Sequence, residues 1–69
     1  MEITRGDIYY NKIENKYLVV TGCVYTDTIR YICMVFDISG NTRYYGNDTI
    51  KTQSELENED IYDQVGGIY

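Results

Sequence analysis

The sequence predicts a mainly β domain: a small, highly bent antiparallel sheet of four to five strands with a short C-terminal helix or helical turn. Three observations point there. The 69 residues include nine Tyr, many Ile, Val and Thr, and no Pro or Trp, a composition suited to pleated, half-buried surfaces. Words rich in Gly, Asn and Asp punctuate the apolar runs at 11–16, 26–28, 39–41 and 46–48. No helical period appears before residue 53.

In chain order, a first strand is entered through Arg5-Gly6-Asp7 and carries Ile8, Tyr9 and Tyr10 as its apolar part. The polar word NKIENK, residues 11–16, makes the following turn. A second strand covers 17–25 (YLVVTGCVY), and Gly22 inside it marks a bulge or bend. After Thr26-Asp27-Thr28 comes 29–36 (IRYICMVF), eight residues with a single charge, which reads as the central strand. Pairing Tyr25 with Ile29 puts Leu18, Val20, Val24, Ile32, Met34 and Phe36 on one face, the expected core. Tyr17, Val19, Tyr25, Tyr31, Cys33 and Val35 then share the other, a Tyr-rich outer surface. Ser39-Gly40-Asn41 is a hairpin turn. The fourth strand covers 42–45 and resumes at 49–52 after a Gly46-Asn47-Asp48 turn. Ser54 and Glu57 fit a capping box that opens a helix over 55–63, stopped by Gly66-Gly67, with 65–69 returning as an edge strand or dimer contact. The chain is thus a single domain, a β scaffold over 1–52 and an acidic segment over 53–69.

The words RGDIYY and KYLVV resemble the start of the small SH3-like barrels, including the MazF/PemK-type toxins. The resemblance covers the opening strand and implies an SH3-like barrel as the form of the sheet. It does not extend to the RNA cleavage of those longer toxins, whose functional residues lie beyond this opening. Arg5-Gly6-Asp7 also spells a cell-adhesion tripeptide, but is read here as a glycine easing the bend into a strand.

Enzyme chemistry has little to build on. Without His, neither a Ser-His nor a Cys-His nucleophile can be assembled, and no glycine-rich phosphate loop is present. A carboxylic general acid needs a buried cleft, for which so small a barrel has little room. No zinc pattern exists, and Glu57, Glu59 and Asp60 lack the spacing of a calcium loop. No catalytic residue, metal or cofactor is therefore expected. Cys23 and Cys33 read as free thiols of a reducing compartment, Cys33 being an apolar filler within its strand. No apolar run approaches the roughly 20 residues that span a bilayer, and Met1 leads straight into a strand-like segment, so a cytoplasmic chain is expected.

Charge is the most specific feature. The formal net charge is −5, and residues 1–51 are neutral, with six bases against six acids. The surplus belongs to Glu55, Glu57, Glu59, Asp60 and Asp63. On a helix, Glu55, Glu59 and Asp63 would form a stripe with a step of about 6 Å; on a strand, Glu55, Glu57 and Glu59 would repeat every 6.5 to 7 Å or so. Either interval is close to that between successive phosphates. A basic partner would relieve the self-repulsion and be steered in from a distance. Direct nucleic-acid binding is disfavoured, because the bases are scattered and matched one for one by acids over 1–51. Tyr17, Tyr25, Tyr31 and Tyr62 are the aromatic candidates for the same contact. In size, acidity and lack of catalytic residues the chain resembles the small early proteins by which bacteriophages disable host factors, several of which mimic DNA. That resemblance implies a non-enzymatic inhibitor acting in the host cytoplasm on a basic nucleic-acid-binding protein such as a nucleoid protein, polymerase or nuclease. The alternative is an SH3-like adaptor or structural phage protein binding through the Tyr-rich sheet face, and a third reading is single-stranded nucleic-acid binding on exposed tyrosines; the bland reading of the acidic tail is a solvated, solubilising segment. A chain this short gains stability from association, so a homodimer or a partner-bound state is expected.

Overall fold

The structure, a computed structural model, describes residues 3–67. Five strands, β1 (Asp7–Asn11), β2 (Lys16–Tyr25), β3 (Ile29–Ser39), β4 (Thr42–Thr52) and β5 (Tyr62–Gly67), form one antiparallel sheet in the order β4-β3-β2-β1-β5. A single helical turn, α1 (Gln53–Leu56), lies between β4 and β5. The first four strands are a meander. The chain then leaves the β4 edge and returns beside β1, so the sheet stays open, with β4 and β5 as its two edges.

The expected hairpin register holds only at its tip. Tyr25 pairs with Ile29 and Gly22 with Ile32, but Val20 pairs with Cys33 and Leu18 with Val35. Thr21 is the extra residue of a bulge, and one extra residue inverts which side chains share a face. Tyr31, Cys33 and Val35 therefore join Leu18 and Val20. The main core consists of Ile3, Tyr9, Leu18, Val20, Tyr31, Cys33, Leu56 and Tyr62. Met34 and Phe36 lie with Tyr17 and Val19 in a smaller cluster around buried Ile8, Val19 and Phe36. Val24, placed in the core by the sequence, is exposed at the hairpin tip.

Two further expectations shift. The fourth strand is continuous, because Gly46-Asn47 is absorbed as a bulge: Met34 pairs with Asp48 and Phe36 with Tyr45, leaving two β4 residues opposite Val35. The capping box forms two residues earlier than expected. Glu55 N donates to the Thr52 hydroxyl at 3.3 Å, and Thr52 N donates to Glu55 Oε1 at 3.0 Å. This start puts Leu56 into the core. The helix then ends, and Asn58 O accepts from Ile61 N at 3.1 Å and Tyr62 N at 2.9 Å, turning the chain into β5. The last strand accordingly begins at Tyr62 rather than 65; residues 68 and 69 of the expected strand lie outside the described residues.

Cys23 is exposed, Cys33 is buried, and both are free thiols as expected. Burial pushes the Cys33 thiol up to about 11, in keeping with an inert packing group. No helix among the described residues is long and apolar enough to cross a membrane.

Candidate partner-binding site

The five acids of 55–63 are carried by three kinds of backbone: the helical turn, the bend after it, and the first residues of β5. They form neither a helical stripe nor an extended row, because the helix stops at Leu56 and the strand starts at Tyr62. Each is placed by local chemistry. Glu55 closes the capping box and lies 3.9 Å from Lys51 Nζ. Its carboxyl is held below the ordinary carboxylate range, first by the Thr52 backbone N–H, with burial opposing and the Thr52 hydroxyl and the Lys51 ammonium adding smaller contributions in the same downward direction. Half-buried Glu57 accepts from Gln53 Nε2 at 3.2 Å. Glu59 and Asp60 are exposed on the bend. Asp63 sits opposite Tyr10 in β5, with Lys12 Nζ 3.5 Å from its Oδ1, and the same ammonium donates to the Glu59 carbonyl.

Between this connection and β1 lies a cleft of about 530 Å³. Glu57, Glu59 and Asp63 line it, Lys12 and Gln64 stand at the β1 and β5 side, and Tyr9, Leu56 and Tyr62 complete the lining. Glu55 belongs instead to a neighbouring concavity of about 250 Å³ with Lys51 and Ile13. The structure thus gathers three of the five predicted acids around one space and leaves Glu55 and Asp60 outside it.

The predicted aromatic residues disperse. Tyr25 is exposed at the β2–β3 tip, Tyr17 is half-buried, and Tyr31 and Tyr62 are core residues. The expected Tyr17, Tyr25 and Tyr31 surface does not assemble, because the Thr21 bulge turns Tyr31 inward.

A different aromatic arrangement takes its place. Tyr10, Tyr17, Phe36 and Tyr45 stand in register across β1 to β4, with successive ring centroids 4.9, 5.4 and 5.4 Å apart. The Arg43 guanidinium lies 5.2 Å above the Phe36 ring. The signal for this row was present in the sequence: Tyr10 and Tyr17 flank the 11–16 turn, and Phe36 and Tyr45 are equidistant from Gly40-Asn41.

Sequence reasoning also missed Tyr9. It is 1% exposed, and its hydroxyl has no hydrogen-bond partner among the described residues. Burial, then the charges of Asp7 and Glu57, raise its pKa. No protein-family model, curated protein or solved structure matches this chain.

Proposed function

We propose that this protein is a non-enzymatic inhibitor whose acidic end occupies the nucleic-acid-binding surface of a basic protein. In the setting that the bacteriophage resemblance implies, the partner is a host nucleoid protein, polymerase or nuclease. One observation supports the reading: the five surplus acids lie together along α1, the α1–β5 connection and the start of β5, where Lys51 and Lys12 are the bases paired with them among the described residues. Such a patch steers a cationic surface and sets the orientation in which it docks. The likeness to a polynucleotide then lies in the sign and density of charge, since no phosphate-spaced row forms.

The test is capture of basic proteins from bacterial lysate on the immobilised protein, followed by affinity measurement with the captured partner. Reversing Glu59, Asp60 and Asp63 together to Lys should abolish binding while circular dichroism stays that of the folded sheet. Wild-type affinity should fall steeply as salt shortens the Debye length below about 8 to 10 Å. Unchanged affinity in the triple variant rejects the reading.

The aromatic row favours a second reading, an adaptor or structural protein that binds through its sheet face. In that case Tyr45→Ala, at the exposed end of the row, weakens capture and the triple charge reversal does not.

A further inference from the structure

β4 is the longer of the two sheet edges, with 11 residues against 6 in β5, and among the described residues no strand lies beyond it. Tyr44, Tyr45 and Ile50 on it are each more than half exposed. A sheet edge presents unpaired N–H and C=O groups on which another chain can pair, and proteins usually shield it with Pro or with charges that repel a second strand. β4 has no Pro, and its charges are of both signs, Arg43 and Lys51 against Asp48. Lys51 lies 3.9 Å from Glu55. Arg43 and Asp48 have no ionic partner among the described residues, although the Arg43 guanidinium covers the Phe36 ring.

The register with β3 fixes the face on which these groups stand. Arg43 is opposite Ile38, Tyr45 opposite Phe36 and Asp48 opposite Met34, so all three share the face of the aromatic row. Thr42 is opposite Ser39 and Thr49 opposite Cys33, on the other face. Arg43 and Asp48 are an odd number of residues apart, and they share a face only because the bulge at Gly46-Asn47 adds a residue between them. The bulge also limits how β4 can meet a copy of itself. Two identical antiparallel strands are related by a two-fold axis normal to the sheet, which keeps each face on its own side. In a regular strand that axis must pass through a residue for like faces to meet; across the bulge it must pass between two. With the axis between Tyr45 and Gly46, Arg43 comes opposite Asp48 of the second copy, Thr42 opposite Thr49, Tyr44 opposite Asn47 and Tyr45 opposite Gly46. Each pair occurs twice. The next two registers set Arg43 against Ile50 or Thr52 and pair no opposite charges.

Gly46 fits the same arrangement. Its φ is not left-handed, and a Cβ there would meet only Val35 O at 3.7 Å, an ordinary contact, so its own sheet does not require a glycine. A glycine within a strand is a place where another chain can approach closely, and a bare backbone opposite Tyr45 lets the ring lie across it. We infer that β4 is a self-pairing edge: two copies of this chain join antiparallel through residues 42–49, in the register that sets Arg43 against Asp48, into one continuous sheet. The acidic segment follows β4 and takes no part in the pairing.

The test is sedimentation equilibrium of the full chain over a range of concentrations, combined with a charge-swap cycle. The wild type should pass from monomer to dimer mass as concentration rises. Arg43→Asp and Asp48→Arg each set like charges opposite one another twice, and each should weaken the dimer about tenfold or more; the double variant should recover it. Mixed in equal amounts, the two single variants should pair with each other, since one then carries two acids and the other two bases. That pairing also shows both to be folded. A filtered NOE measurement on mixed labelled and unlabelled wild type should place the Gly46 α-protons of one copy against the Tyr45 ring of the other. A wild type that stays monomeric up to millimolar concentration overturns the inference. So does a dimer that either single variant leaves unchanged, that the double variant does not restore, or that lacks the contact between Gly46 and Tyr45.

Discussion

Asn11 joins both ends of the chain through one side chain. Its Oδ1 accepts from Ile13 N at 2.9 Å and Glu14 N at 3.0 Å, fixing the β1–β2 turn, while its Nδ2 donates to Tyr62 Oη at 3.5 Å across to β5. The turn also needs Asn15 at φ 58°, a left-handed conformation that Asn tolerates better than most residues. Asn11 is 8% exposed, so removing its amide strands two backbone N–H groups and a phenol near the core. Asn11→Ala should destabilise by about 1–3 kcal/mol, and Asn11→Asp, which keeps the accepting oxygen, by less; urea unfolding of the two variants checks this. The sequence made the turn legible through its Asn content. It did not show which Asn governs the turn, because that depends on Tyr62, 51 residues away.

At the scale of elements, one residue decides which side chains meet. Gly22 marked a bulge in the sequence, yet the two faces of the β2–β3 hairpin come out inverted beyond it unless Thr21 is left unpaired in the register. The same arithmetic hid the aromatic row and put Tyr31 on the surface. The helix was legible as a capping box but not as the right one, since Thr52–Glu55 and Ser54–Glu57 have the same spacing, and the choice falls to whichever start buries Leu56. The glycines separate in a testable way. Gly40 opens the β3–β4 turn at φ 61°, which costs a residue with a Cβ about 1–2 kcal/mol. Gly22 is outside the left-handed region, and a Cβ there would meet only Ile32 Cδ1 at 4.0 Å, an ordinary contact. Gly40→Ala should therefore lower stability by about 1 kcal/mol, whereas Gly22→Ala should leave it unchanged or raise it by about 0.4–1 kcal/mol through the unfolded chain. Denaturant midpoints of the pair measure the difference.

The molecule as a whole is long for its size, 40 × 22 × 22 Å, because β3 alone reaches about 36 Å at about 3.3 Å per residue. The core fills only the middle of that length, around Leu18, Val20, Cys33 and Leu56. The hairpin ends run past it: Tyr25 is 73% exposed at one tip and Tyr44 58% at the other. Composition revealed the charge asymmetry, but where the acids lie required the fold, which puts Glu57, Glu59 and Asp63 at one concavity, Glu55 at another and Asp60 at neither. Free energy of opening follows buried apolar contact, so the two tips should open locally while the centre exchanges only on global unfolding. Amide hydrogen exchange should show strong protection at 18–20 and 31–36, and little at 24–29 and 39–43, at all protein concentrations if the chain is a monomer. A concentration-dependent rise in protection at the tips would mean that a second copy covers them. Exposed Ile38, Tyr44 and Tyr45 would then serve self-association, leaving the acidic segment, which starts beyond the other end of β4, free for a partner.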